Sequence, residues 1–257
     1  MSRAAIEVLR LTKSFAAVTA VDDVSFVVPM GATIGLLGGN GAGKTTTLSM
    51  LLGLLEPSAG RITVLGEDML RRPAAVLPRM NFSSPYVDLP HRLTVRQNLT
   101  VYGLLYGIRH IRRRIDALAA DLGLADLLER QTGTLSAGQK TRAQLAKALI
   151  NEPSLLLFDE PTASLDPDTG DWVRGYLETY RRRVGATLLI ASHNMGEVER
   201  LCDHVLMMRA GRIVDEGAPA DLVRRYGRQT LEQVFLDIAR RPDEAAPTAA
   251  PRPAAAQ

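Results

Sequence analysis

Residues 38–45 read Gly38-Gly39-Asn40-Gly41-Ala42-Gly43-Lys44-Thr45 and fit the pattern G-x-x-x-x-G-K-[ST]. A β-like apolar run precedes it at residues 33–37, and a run of helical character follows it over residues 45–55. Glycines let successive backbone N–H groups turn inward, and the helix N-terminus adds the positive end of a dipole. This strand–loop–helix context is what a phosphate-binding loop requires, and it argues against a chance glycine-rich turn.

The side chains that end this loop predict a nucleoside triphosphate and a metal ion as ligands. Lys44 is placed to reach the β and γ phosphates, and Thr45 is placed to hold Mg²⁺. Thr46 continues the same nucleotide-binding stretch into the first helical turn. We therefore predict that the loop from Gly38 to Thr46 binds a nucleotide together with Mg²⁺.

A second half-site is predicted at residues 155–160, Leu155-Leu156-Leu157-Phe158-Asp159-Glu160. Apolar residues that end in two acids are typical of a buried parallel strand whose carboxyl end lies where open α/β sheets bind ligands. Asp159 is placed to support Mg²⁺, directly or through water, and Glu160 is placed to polarise an attacking water. A core strand followed by an acidic turn is the alternative, and the neighbouring phosphate loop favours the functional interpretation.

A third stretch, Leu135-Ser136-Ala137-Gly138-Gln139, lies in the chain between the two half-sites, and a helical run over residues 140–151 follows it. Ser136 and its small neighbours are predicted at a helix N-terminus, which is a second potential anion site. Taken together, the three stretches resemble the ATP-binding cassette family, whose Walker A, LSGGQ-like signature and Walker B motifs occur in this order. The resemblance covers roughly residues 6–228 and extends to three further matches: Ser164-Leu165-Asp166 with the D-loop, His193 with the switch histidine, and Phe15 with the aromatic A-loop that stacks on adenine.

The resemblance implies an α/β fold: a P-loop NTPase cassette with a RecA-like core sheet, an N-terminal antiparallel β part and an inserted helical subdomain at about 81–152. It implies ATP as the ligand and a head-to-tail dimer in which each ATP lies between the phosphate loop of one copy and the signature of the other. Ser136, Gly138 and Gln139 would complete the partner's site. His193 would hold the γ-phosphate in its own chain, and Asp166 would couple the two sites at the interface.

The chain changes in composition after residue 228. The cassette is predicted to occupy residues 1–228, and an amphipathic helix is predicted over residues 229–240 because apolar residues recur there at helical spacing. From residue 241 to residue 257 the sequence is rich in proline and alanine without apolar periodicity, which predicts a disordered tail.

Composition limits the class of protein. The chain has 257 residues, of which 46% are hydrophobic and 23% charged, enough for a large buried core. No run approaches the ~20 apolar residues that span a bilayer, and no signal peptide is visible. The single cysteine, Cys202, excludes an internal disulfide and is interpreted as a small buried hydrophobe. A cassette without a membrane span implies, by resemblance, a separate integral membrane permease and a peripheral position on the cytoplasmic face of the membrane.

Arginine dominates the basic residues and forms runs at residues 112–114 and 181–183, although the net charge is only +3. Nucleic-acid binding is one interpretation of such runs. Neither run has interleaved aromatics, so we favour solvated helix faces and expect no nucleic acid as a partner. Contact with anionic lipid is an alternative for the first run.

The direction of transport rests on resemblance alone. The segment from Leu231 to Leu236 resembles the C-terminal pattern of bacterial export-type cassettes, which act on drugs, polysaccharides, lipids or sodium, and an exporter ATPase is therefore expected. An importer ATPase is the nearest alternative. A soluble cassette that acts on nucleic acid or ribosomes and a non-hydrolysing, ATP-gated module are the others, and Glu160 argues against the last.

The sequence departs from the family at one point. Cassettes normally place a glutamine near residues 80–86, and this stretch contains none. Ser84 or Pro85 takes its place, and we hypothesise that Ser84 reaches the metal through a bridging water, at a cost of only ~0–2 kcal/mol. Phe82 and Tyr86 would contact the permease. The alternative is that Ser83 and Ser84 merely shape a turn.

Overall fold

The computed structural model describes residues 4–84, 87–162 and 165–240, and it contains two β-sheets. The first is antiparallel with strand order β2-β1-β4-β5, and the second has the order β10-β9-β3-β8-β7-β6. The strands are β1 (Ala4–Phe15), β2 (Val18–Pro29), β3 (Thr33–Leu37), β4 (Ala59–Val64), β5 (Glu67–Asp68), β6 (Met80–Ser83), β7 (Leu155–Asp159), β8 (Thr187–Ser192), β9 (His204–Arg209) and β10 (Arg212–Gly217).

Helices cover the second sheet and fill the interval between β6 and β7. They are α1 (Lys44–Leu51), α2 (Pro73–Val76), α3 (Val95–Leu105), α4 (Ile111–Asp121), α5 (Ala137–Leu149), α6 (Pro167–Val184), α7 (Met195–Leu201), α8 (Pro219–Arg225) and α9 (Leu231–Arg240), with 3₁₀ turns at Leu77–Arg79, Ala125–Leu127 and Thr132–Thr134. The predicted antiparallel β part, core sheet and helical insertion are thus all present.

The second sheet places the candidate site. Its strands β6, β7, β8, β3 and β9 are parallel, and β10 closes the edge as an antiparallel hairpin with β9. Every residue of β3, β7 and β8 is buried, as expected of parallel strands covered on both faces. The register pairs Leu37 with Ser192 and Asp159 with Ala191, so the carboxyl ends of three strands meet at one edge.

Two apolar clusters lie on the two sides of this sheet. One combines the faces of α3, α4, α5 and α6 with residues of β7, β8 and β9, and the other joins the antiparallel sheet and α1 to the opposite face. Because α5 and α6 share one cluster with β7, the helical insertion and the core sheet are packed as one body at this point.

Several element boundaries differ from the sequence-based expectation. Helix α5 begins at Ala137, directly after Ser136, rather than at residue 140, because Ser136 and Gln139 form a capping box there. Helix α1 ends at Leu51 rather than at residue 55, and Gly53 follows in the left-handed region at φ 68°. Helices α7 and α8 were not predicted, since seven residues hold too few apolar positions to show a helical period.

Candidate active site

The phosphate loop connects the end of β3 to the start of α1, and steric contacts require glycine at its first and last glycine positions, Gly38 and Gly43. A Cβ at Gly43, where φ is 102°, would lie 2.5 Å from the carbonyl oxygen of Ala20. A Cβ at Gly38 would lie 2.7 Å from the carbonyl oxygen of Met208. Asn40 and its glycine neighbours are exposed, while Ala42 is buried beneath them. The loop therefore presents backbone at the helix N-terminus, with no room for a side chain at Gly38 or Gly43.

Lys44 supplies a positive charge to this loop. Its side chain is buried, and its Nζ donates hydrogen bonds to the carbonyl oxygens of Gly38 at 2.6 Å and Gly39 at 3.2 Å. The ammonium group is therefore held against the loop rather than extended into solvent. Thr46, in the first turn of α1, is half-buried.

Thr45 and Asp159 join the two half-sites that the sequence separates by more than a hundred residues. The Thr45 hydroxyl donates to Asp159 Oδ2 at 3.1 Å. Burial raises the pKa of Asp159, as does the charge of Glu160, against the opposing influence of the Thr45 hydrogen bond and the Lys44 ammonium. A buried carboxylate that is costly to ionise gains from a nearby cation.

The same pair fits a magnesium ion by its chemistry. Mg²⁺ prefers oxygen ligands and is usually held by one or two protein groups plus phosphate oxygens. Thr45 and Asp159 offer a hydroxyl and a carboxylate beside the phosphate loop. Within the described ranges, no cluster of three His, Cys, Asp or Glu side chains is arranged to hold a metal. These donors therefore suit a metal ion that is coordinated partly by the protein and partly by a bound nucleotide.

Glu160 and His193 form a second contact at the sheet edge. His193 Nδ1 lies 2.6 Å from Glu160 Oε1, and the carboxylate is largely buried whereas the imidazole is largely exposed. Glu160 has φ 56°, and its N–H donates to the Ala191 carbonyl at 2.8 Å. A non-glycine residue held in this sparsely populated region at a sheet edge is typical of functional positions. The arrangement provides a proton acceptor next to an exposed imidazole.

A buried acid that the sequence analysis missed supports this pair. Glu197, in α7, is 1% exposed and accepts hydrogen bonds from Thr162 Oγ1 at 3.0 Å and Ser192 Oγ at 2.8 Å. Burial raises its pKa, although both hydrogen bonds act in the opposite direction. Glu197 thereby links Thr162, which follows Glu160 in the chain, to Ser192, which precedes His193. The spacing Asn194-x-x-Glu197 is a helix-start signal that was available in the sequence.

The signature residues lie at the N-terminus of α5. Ser136 Oγ accepts from Gln139 N at 3.3 Å, and Gln139 Oε1 accepts from Ser136 N at 3.0 Å, which completes the capping box of α5. A Cβ at Gly138 would lie 3.1 Å from Thr169 Oγ1, and Thr169 N donates to Asp166, the N-cap of α6. The structure thus brings the starts of α5 and α6 together. Ser164 lies outside the described residues.

The remaining candidates flank the site. Phe15 ends β1 with its ring half exposed, and Lys13 Nζ lies 5.1 Å from the ring centroid. Ser84 is buried directly after β6, where the parallel register pairs Ser83 with Phe158 and so places Ser84 level with Asp159. Pro85 and Tyr86 belong to the part of the chain that is not described.

Comparison with known proteins decides the family. The family described as ABC transporter matches residues 21–163. The ABC transporter ATP-binding protein NatA of Bacillus subtilis (strain 168) is 40% identical over 222 residues, which is 85% of this chain and 90% of that protein. The chain belongs to the ABC transporter family. It is an ATP-hydrolysing cassette and the ATP-binding subunit of a transporter.

Two further similarities accompany this assignment. The Nod factor export ATP-binding protein I of Rhizobium sp. (strain N33) is 40% identical over 235 residues, which is 90% of this chain and 77% of that protein. A solved structure of an ATP binding subunit of an ABC transporter superposes with a TM-score of 0.82 at 28% identity, covering 91% of this chain and 99% of that one. In the described part of the cassette no helix is both long and apolar enough to cross a membrane.

Proposed function

We propose that this cassette powers export through a separate membrane permease, with Mg²⁺-ATP bound at two composite sites of a head-to-tail dimer on the cytoplasmic face of the membrane. The observation that carries the proposal is the single sheet edge where the phosphate loop, the Thr45–Asp159 contact and the Glu160–His193 contact meet. Export is favoured over import by a relative named for Nod factor export.

The dimer is proposed because the signature residues do not share contacts with the phosphate loop of their own chain. Ser136 and Gln139 are engaged in the α5 cap, and Gly138 faces α6. Among the described residues, no hydrogen bond joins these three to residues 38–46. A helix N-terminus offers orphan N–H groups to an anion. The start of α5 is therefore proposed to meet the γ-phosphate of an ATP held by a second copy.

The residues of one chain would divide the chemistry among them. The loop N–H groups and Lys44 bind and orient the phosphates, while Thr45 and Asp159 are the groups that would hold Mg²⁺. The metal would neutralise phosphate charge during transfer. Glu160 accepts a proton from the attacking water, and His193 keeps contact with both Glu160 and the γ-phosphate. Phe15 would stack on the base, and Asp166 would lie at the dimer interface.

Ser84 is proposed to hold a water on the metal side of Asp159, in the place of the glutamine that the family normally has. Ser84 is buried, and its backbone lies level with Asp159 along the sheet edge. Ser84→Ala is expected to slow hydrolysis several-fold without destroying ATP binding, because it removes one water-mediated contact at the metal and leaves the phosphate loop intact. Steady-state turnover and nucleotide titration measure the two quantities.

The neighbouring serine supplies the control for this prediction. Ser83→Ala removes the same hydroxyl one residue earlier, within β6, and is expected to leave turnover unchanged. Equal rates for Ser84→Ala and the unaltered chain, both in the assembled transporter, would remove Ser84 from the site.

Isolation of the complex tests the transport assignment. An affinity-tagged cassette is expected to co-purify from detergent-solubilised membranes with an integral membrane protein encoded by a neighbouring reading frame. In reconstituted liposomes whose cassettes face outward, added ATP is expected to drive substrate into the lumen, which corresponds to export. Recovery of the tagged chain with ribosomes or nucleic acid and without a membrane subunit would favour the soluble alternative.

A further inference from the structure

The turn between α3 and α4 exposes an unusual combination of side chains. Leu104 and Leu105, at the end of α3, are 66% and 76% exposed. Arg109, just before α4, and Arg112 and Arg113, in its first turn, are exposed as well. We refer to these five residues as the α3–α4 surface. The α3–α4 surface combines apolar side chains, whose burial away from water is favourable, with cations, which remain hydrated.

The cations of this surface have no acidic partner in the part of the chain that the structure describes. No aspartate or glutamate occurs between Gln97 and Ile115. Over the residues that the structure describes, none of Arg109, Arg112 and Arg113 forms an ion pair. The next arginine, Arg114, turns inward instead and donates to Glu152 and to the carbonyl oxygens of Leu149 and Ile150.

The second arginine run of the chain behaves in the opposite way. Arg181 pairs with Asp203 at 2.7 Å, Arg182 with Glu178 at 3.7 Å, and Arg183 with Asp121 at 3.1 Å. The two runs are alike in sequence, yet one is neutralised within the fold and the other leaves two of its three charges uncompensated. Uncompensated charge beside exposed leucines indicates an external anionic partner.

The leucines decide between the anionic partners. Single-stranded nucleic acids are bound by cations together with exposed aromatic rings on which bases stack. Tyr102 and Tyr106, the aromatic residues nearest this surface in the sequence, are only partly exposed and pack against the core. Duplex nucleic acids are bound through phosphate contacts, to which exposed leucines contribute nothing. A membrane surface combines anionic headgroups with an apolar interior, and it binds apolar side chains that are flanked by cations.

We propose that the α3–α4 surface docks directly on anionic lipid headgroups of a bilayer, with Leu104 and Leu105 entering the interfacial layer and Arg109, Arg112 and Arg113 contacting lipid phosphates. This inference goes beyond the proposed function, since it assigns the cassette a lipid contact of its own that needs neither permease nor nucleotide.

Co-sedimentation of the full chain with lipid vesicles tests the proposal. Vesicles of phosphatidylcholine alone are compared with vesicles that also contain phosphatidylglycerol, at low and at physiological ionic strength. Binding is expected to rise ~10-fold or more with phosphatidylglycerol and to fall as salt is added, because each basic residue near an anionic surface contributes and the attraction is screened.

Matched variants test whether vesicle binding depends on the α3–α4 surface or on the overall positive charge of the chain. Arg112→Gln with Arg113→Gln is expected to remove most of the binding, whereas Arg182→Gln with Arg183→Gln removes the same charge from the paired run and is expected to keep it. Leu105→Ser is expected to weaken binding, and Leu54→Ser, at an equally exposed leucine, is not. ATPase activity of the free variants checks that they are folded.

Three outcomes would overturn the proposal. They are the absence of binding to phosphatidylglycerol vesicles, equal losses in the two arginine pairs, and variants that lower co-purification with the permease while vesicle binding is unchanged. The last result would assign the surface to a protein contact. Failure of the transport assignment would leave vesicle binding by the isolated chain unaffected, so the two proposals fail separately.

Discussion

Replacement of Glu160 by glutamine is expected to reduce steady-state ATP turnover by ~10²-fold or more, which is the scale of losing a general base. The amide keeps the shape of the side chain and loses the basic oxygen that lies 2.6 Å from His193 Nδ1. Because the phosphate loop is unchanged, ATP still binds. The variant is therefore expected to accumulate as an ATP-bound dimer, seen as a doubled mass in size-exclusion chromatography with ATP.

Glu7 provides a matched control for this change, since it is an exposed glutamate in β1, in the other sheet. Glu7→Gln is expected to keep both turnover and the monomer–dimer distribution of the unaltered chain. Turnover near the unaltered value in Glu160→Gln would remove the base assignment.

Loss of the Lys44 ammonium is expected to impair ATP binding, which precedes hydrolysis. Lys44→Ala removes a buried charge that is fixed by the carbonyl oxygens of Gly38 and Gly39, and with it the strongest cation at the loop. A hydrogen bond to a charged group is worth about 1.5–3 kcal/mol, so ATP affinity is expected to fall by ~10- to 100-fold. Dimerisation with ATP is expected to disappear together with hydrolysis.

Isothermal titration with ATP and chromatography with ATP separate this variant from Glu160→Gln, which keeps both binding and the dimer. Lys44→Arg serves as the control for charge, because the planar guanidinium keeps the charge and loses the compact geometry. It is expected to retain more affinity than Lys44→Ala. Unchanged affinity in Lys44→Ala would show that the loop binds nucleotide through its backbone alone.

The sequence predicted the core of the site because sterics and burial act locally there. Glycines at positions such as Gly43 are required by a neighbouring carbonyl group, and the apolar run that ends in Asp159 is typical of a buried parallel strand, which is what it forms. Parallel register then brings Thr45 and Asp159 to one edge without further information. Motifs of this kind carry their geometry in the residue types themselves.

Other features depend on partners far away in the sequence. Glu197 looks like a surface acid of a short helix, and only the fold buries it between Thr162 and Ser192. The two arginine runs could not be told apart either, since the acids that neutralise Arg181 and Arg183 come from other elements. Side-chain pairing of this kind is set by tertiary packing, which periodicity does not report.

We propose that each active site is built from two chains, and mixing two inactive variants tests this directly. Ser136→Arg blocks the signature, and Lys44→Ala disables the loop, so each variant alone forms only defective sites. A heterodimer of the two holds one site with an intact loop from one chain and an intact signature from the other. The control mixture pairs Lys44→Ala with the double variant Ser136→Arg, Lys44→Ala, from which no intact site can form.

The measurement is the ATPase rate of the equimolar mixture against that of each variant alone and of the control mixture. Each mixed dimer holds one intact site of two, so we expect ATPase activity to return in the mixture, to at most about half of the unaltered rate if every chain is in a mixed dimer. A rate no higher than that of the control mixture would contradict a site shared between two chains.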